Sequence, residues 1–169
     1  MGPADWISLG DWLGEFRALH ESARSGKLSS KDLARYEQDR EVLAKALLIA
    51  QRLTLKPGQT ARQTLRVVLQ LPVALGTGPK REEATTLDLG LGGFAAMMPK
   101  PLKVQERIEF VLTLRNRDEQ VKGRARVVSV QRKGKPFRVA FAFEEIARAD
   151  AERLGLEVFD AALMTLPPH

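Results

Sequence analysis

The sequence predicts an α+β chain, mainly β with a helical extension: a helical hairpin over residues 1–55, then a six-stranded antiparallel β-barrel with a C-terminal helix over residues 56–165. Two observations predict it. The apolar period changes near Leu55 from three-and-four, the spacing of a helix face, to two, the spacing of a strand face. Beyond that point short apolar runs alternate with turns rich in glycine and proline, the pattern of an antiparallel barrel or sandwich.

The helical part divides in two. Leu9, Trp12, Phe16, Leu19 and Ala23 form one stripe, and Gly26 suits the C-terminal stop of that helix. Ser29, with Asp32 three residues on, has the form of a capping box opening a second helix. Leu33, Tyr36, Arg40, Leu43, Leu47 and Ala50 then follow a coiled-coil seam with Arg40 as its charged member. Neither helix can bury its stripe alone, so an antiparallel hairpin is expected, closed within one chain or between two. Lys56-Pro57-Gly58-Gln59-Thr60 is the linker.

Strand signals follow. Leu65, Val67, Leu69, Leu71, Val73 and Leu75 read as one long half-buried strand, within which Pro72 asks for an edge or a bulge. Gly76-Thr77-Gly78-Pro79 is a hairpin turn, and further strands are expected at about 83–88, 94–98, 106–115, 121–130 and 137–143. The expected core includes Leu65, Val67, Leu69, Ile108, Phe110, Leu112, Val127, Val139 and Phe141. Ala147 to Met164 reads as a helix flanking or plugging the barrel, with Leu154, Val158, Ala162 and Leu163 on its apolar side.

Composition removes several function classes. The chain has no cysteine and two histidines, His20 within a helical stripe and His169 at the last position. That leaves no thiolate or histidine metal site and no Ser-His-Asp or Cys-His arrangement, so neither catalysis nor a bound cofactor is expected. No apolar run is long enough to span a bilayer, and Met1-Gly2-Pro3-Ala4-Asp5 has no signal-peptide form, so a cytoplasmic protein without membrane partners is expected. Residues 1–53 carry 8 basic and 8 acidic side chains, whereas residues 54–169 carry 19 basic against 13 acidic. The whole excess of +6 therefore lies in the β part, where it serves solubility or attracts an anionic partner. One tyrosine, and phenylalanines mostly on inward strand positions, leave few stacking platforms for a nucleic acid, which is not expected as the ligand.

Two segments carry binding chemistry. Arg62-Gln63-Thr64-Leu65-Arg66 is an R-x3-R spacing where the linker meets the first strand. Positions four apart in a strand share a face, and each guanidinium offers a planar fork suited to phosphate oxygens or the O6/N7 edge of guanine. Asp88-Leu89-Gly90-Leu91-Gly92-Gly93 lies between two strands. Its carboxylate can accept from guanine N1–H and N2–H, and its glycines permit close backbone approach and positive φ. Either motif alone is as well explained by a solvated strand face or a tight turn.

Their order and separation resemble the PilZ domain family over roughly residues 56–165: R-x3-R opening the first strand, a D-x-S-x-x-G turn some 20 residues later, further strands and a C-terminal helix. Phe94-Ala95-Ala96-Met97, the Pro99–Pro101 turn, the strand from Ile108 to Leu114, the segment Gly123–Val130 and the ending Phe137 to Phe143 are similar to the family as well. The helical preface, with Gly26-Lys27-Leu28-Ser29 and the exit Gln51 to Gly58, resembles the N-terminal extension of some myxobacterial members.

The resemblance implies a non-catalytic receptor for cyclic di-GMP. Arg62 and Arg66 would hold phosphates and guanines, Asp88 a guanine edge, and Gly93 would let the backbone pass close to the ligand. Gly90 departs from the family's usual Ser. The missing hydroxyl would cost about 0.5–1.5 kcal/mol of binding, which Gly90→Ser would return. Ala61 and Gln63 stand where many members have basic residues, which argues against gripping a stacked ligand dimer. The implied site is thus partly degenerate. Two readings stay open: a weak cyclic di-GMP receptor acting through a protein partner or homodimer of its N-terminal helices, or an adaptor of motility or polarity regulation that has lost the ligand.

Overall fold

The computed structural model describes residues 8–53, 55, 57, 64–115, 119–131 and 136–166. The first helix, α1, is Leu9–Arg24, and the second, α2, is Ser30–Leu53. Each starts on a serine cap: the Ser8 hydroxyl accepts from the Asp11 N–H at 3.1 Å, and that of Ser29 from the Asp32 N–H at 3.2 Å. Between them Gly26 takes φ 69°, the left-handed conformation that ends a helix without side-chain strain. The helices pack through aromatic rings. Phe16 stacks on Tyr36 at 5.5 Å, and Tyr36 Oη lies 2.8 Å from His20 Nδ1, so His20 is a core histidine. The expected seam is buried only in its middle, at Tyr36 and Leu43, while Leu33 and Ala50 are exposed. With 24 residues against 16, α2 outruns α1, and its last turns have no α1 residue opposite.

Seven strands follow: β1 (Arg66–Val68), β2 (Pro72–Leu75), β3 (Glu82–Gly90), β4 (Gly93–Met98), β5 (Arg107–Thr113), β6 (Gln120–Gln131) and β7 (Phe137–Ile146). Every pairing is antiparallel. Strands β3-β2-β5-β6-β7-β4 close on themselves through a β3–β4 pairing, which makes the six-stranded barrel, and β1 is an extra strand on β3. That extra strand corrects the sequence expectation of one continuous strand from Leu65 to Leu75. Pro72 has no N–H for the ladder, so the strand breaks before it. The Thr86 hydroxyl fills the gap, accepting from the Leu71 N–H at 2.9 Å and donating to the Leu69 carbonyl at 2.6 Å. The alternation survives the break: Leu65, Val67, Leu69, Leu71, Val73 and Leu75 are all buried.

Inside the barrel Phe94 stacks on Phe141 at 4.8 Å and meets Phe110 at 5.8 Å, and Phe110 meets Phe143 at 5.2 Å. One expected core residue differs. Ile108 is half-buried, because it opens on a recess at the barrel mouth lined by Gly76, Thr77, Arg107, Glu109 and Arg124. The Gly76–Pro79 turn holds, with φ 106° at Gly76 and 56° at Gly78.

The third helix, α3, is Arg148–Met164. It buries Leu154, Val158 and Phe159, and it is tied to the end of β5 by Arg115, which donates to Glu157 at 3.2 Å and to Asp160 at 3.3 Å. Among the described residues no helix is long and apolar enough to cross a membrane. The chain divides into two compact units. One is residues 64–161; the other is the residues before 64 together with those from 162 onward.

Candidate functional site

The site begins with a bulge. At the start of β3 the even-numbered side chains face the core, since Ala84 pairs with the fully buried Val73. Between Thr86 and Asp88 the register shifts against β4, and the extra residue, Leu87, reverses the alternation. Leu89 then fills the core, and Asp88 turns to the outer face opposite Val68, which is 87% exposed. Without the bulge Asp88 would point inward with Thr86.

Two arginines meet Asp88 there. Arg66 sits opposite Gly90 and donates from Nη1 to Asp88 Oδ1 at 2.8 Å. Arg138 on β7 donates from Nη2 to Asp88 Oδ2 at 3.0 Å. The Asp88 side chain is 8% exposed, and those of Arg66 and Arg138 are 18% and 36% exposed. Arg138 stands opposite Met97 on β4 and reaches Asp88 diagonally past Ala95, which faces Asp88 on one side and Ala140 on the other. With Gly90, Gly93 and Ala142, these alanines pave a low floor around the ion cluster.

The glycines act by space, which corrects the expectation of positive φ: among the described residues the only glycines with positive φ are Gly26, Gly76 and Gly78. A Cβ on Gly90 would lie 2.5 Å from the Leu65 carbonyl oxygen and 3.4 Å from Cγ and Cδ of Arg66. Gly90 therefore leaves room for the Arg66 stem to lie over β3 on its way to Asp88. A Cβ on Gly93 would fall 2.0 Å from the Phe141 carbonyl oxygen, so Gly93 is what allows β4 to pair with β7 there. Arg62 lies outside the described residues. Of the five residues singled out in the sequence, Arg66, Asp88, Gly90 and Gly93 meet on one outer face, and Arg138 is the member that sequence reasoning missed. Among the described residues no group of His, Cys, Asp and Glu is placed to hold a metal ion.

A closed six-stranded antiparallel barrel carrying an Arg–Asp–Arg cluster on an outer face defines a small β-barrel module. The family model for the PilZ domain matches residues 60–160, and the chain belongs to that family. Among solved structures it is similar to the Bacillus subtilis inhibitor of motility MotI/DgrA, with 19% identity, a TM-score of 0.54, and coverage of 64% of this chain and 54% of that one. It is similar also to Escherichia coli YcgR in complex with c-di-GMP, with 16% identity, a TM-score of 0.52, and coverage of 62% and 47%. The chain thus spans about half the length of these two proteins. No curated protein matches it.

Proposed function

We propose that the chain is a non-catalytic cytoplasmic regulator whose 56–165 domain binds cyclic di-GMP, and whose helices, residues 1–55, pass the signal on by protein contact. Arg62 and Arg66 hold phosphates and guanines, Asp88 a guanine edge, and Gly90 and Gly93 keep the floor low. The observation that carries this reading is the meeting of Arg66 and Asp88, 22 residues apart, on one outer face of the barrel. YcgR, which has this fold, is seen with c-di-GMP, and MotI/DgrA, an inhibitor of motility, supports a place in motility regulation. Val42, Ala46, Ile49 and Leu53 form a second, exposed stripe on α2, which supports a protein contact there, homodimerisation included.

A second reading, an adaptor without ligand, is favoured by Gly90 and by the engagement of both Asp88 oxygens within the protein. Calorimetric titration of the purified chain with cyclic di-GMP separates the two. The receptor reading expects binding on the order of micromolar or weaker. Arg66→Ala should weaken it by at least about tenfold, since charge-assisted bonds contribute roughly 1.5–3 kcal/mol. No heat at millimolar ligand establishes the adaptor.

A further inference from the structure

We propose that Arg17 on α1 is a latch that fastens the helical hairpin to the C-terminal end of α3, giving the hairpin a latched and a released arrangement. This rests on the reading that the helices pass the signal on, and it names the contact that separates two arrangements a signal can choose between. The division between the two compact units falls within α3, between Ala161 and Ala162, so the last turn of α3 belongs to the same unit as α1 and α2. There Arg17 Nη2 donates to the Leu163 carbonyl at 3.1 Å and to the Leu166 carbonyl at 3.3 Å, 146 and 149 residues away in sequence.

The end of α3 needs such a partner. The last four carbonyls of an α-helix find no N–H within it, and the negative end of the helix dipole lies among them. The first turn of α3 carries Asp150, as the dipole favours, but its last turn contains no basic residue. Neighbouring backbone closes part of the end: the Thr165 N–H donates to the Ala162 carbonyl at 3.1 Å, and the Leu166 N–H to that of Leu163 at 3.2 Å. The cation comes from α1. Two features make the contact a latch and not a piece of core. The hairpin has packing of its own, Phe16 on Tyr36 and His20 against the Tyr36 hydroxyl, which opening the latch leaves in place. The bonds also end on carbonyls beside the exposed Met164 and Thr165, where water can replace the guanidinium.

The test uses the full chain without ligand, carrying spin labels at Ala18→Cys on α1 and Ala149→Cys in the first turn of α3, both exposed positions in a sequence with no other thiol. The parent should show one dominant distance population. Arg17→Met, which keeps an unbranched stem and loses the fork, should raise the share of a second, broader population by about tenfold. Amide exchange at Thr165 and Leu166 should quicken with it. Arg17→Lys should restore the dominant population, because a helix C-terminus accepts either cation. Should circular dichroism show Arg17→Met unfolded, Arg17→Gln carries the same comparison. A distance distribution unchanged in Arg17→Met overturns the latch. So does quicker exchange without a change in distance, which leaves Arg17 as a helix cap alone. The measurement needs no cyclic di-GMP, so its failure leaves the receptor reading to calorimetry, and silence in calorimetry leaves the latch to this result.

Discussion

The Cβ that Gly90 lacks would meet a backbone oxygen at 2.5 Å, a contact that only movement of β1 can relieve. Serine at this position is therefore not glycine plus a hydroxyl, and the expectation that Gly90→Ser simply tightens binding has to be replaced. Both Gly90→Ala and Gly90→Ser should lower stability by about 1–3 kcal/mol, the scale of overpacking, as read by denaturant melts. The hydroxyl is isolated by comparing the two variants with each other: Ser should bind cyclic di-GMP more tightly than Ala by about 0.5–1.5 kcal/mol. Unchanged melts for both would mean that β1 does not run against Gly90. At this scale the local motifs were legible, because Arg66, Asp88 and the glycines lie within one hairpin's reach of each other. Arg138 was not. It is 50 residues from Asp88 and meets it across β4, through a strand order that no local pattern records.

Strands announce themselves by period and punctuation: the one expected over Leu65–Leu75 divides into β1 and β2, and each of the others lies within a few residues of an observed one, as does the C-terminal helix. Two features escaped this reading for one reason. The bulge at Leu87 and the half-exposure of Ile108 are set by partners, β4 for the first and the barrel mouth for the second, not by anything within the segments. Pro72 was legible because its chemistry is local. The aromatic cluster is the element-level test of the barrel. Phe110 is buried, touches Phe94 and Phe143, and its ring lies 3.0 Å from where a Cβ on Gly123 would stand. Phe110→Ala should cost about 3–5 kcal/mol in equilibrium unfolding. A loss under about 1 kcal/mol, the scale of a surface change, would place the ring outside the core.

For the whole chain the question is how a ligand at the β3 face could reach the helices. Arg62 belongs to the proposed site, and the chain between it and α2 is short, so a ligand held by Arg62 and Arg66 would constrain the segment that joins the two parts. A ligand shifts such an equilibrium only through different affinities for the two arrangements. Ligand-bound protein should then favour fewer hairpin orientations than free protein. The sequence contains no cysteine, so Glu41→Cys on α2 and Glu83→Cys on β3, both exposed, can carry two spin labels with no competing thiol. The distance distribution between them should narrow or move when cyclic di-GMP saturates the site, and Arg66→Ala should abolish the change. An unaltered distribution in a protein that calorimetry shows to be saturated would break the proposed coupling. The ligand would then have to act by reshaping the barrel's own surface, with the helices as a separate contact that it does not control.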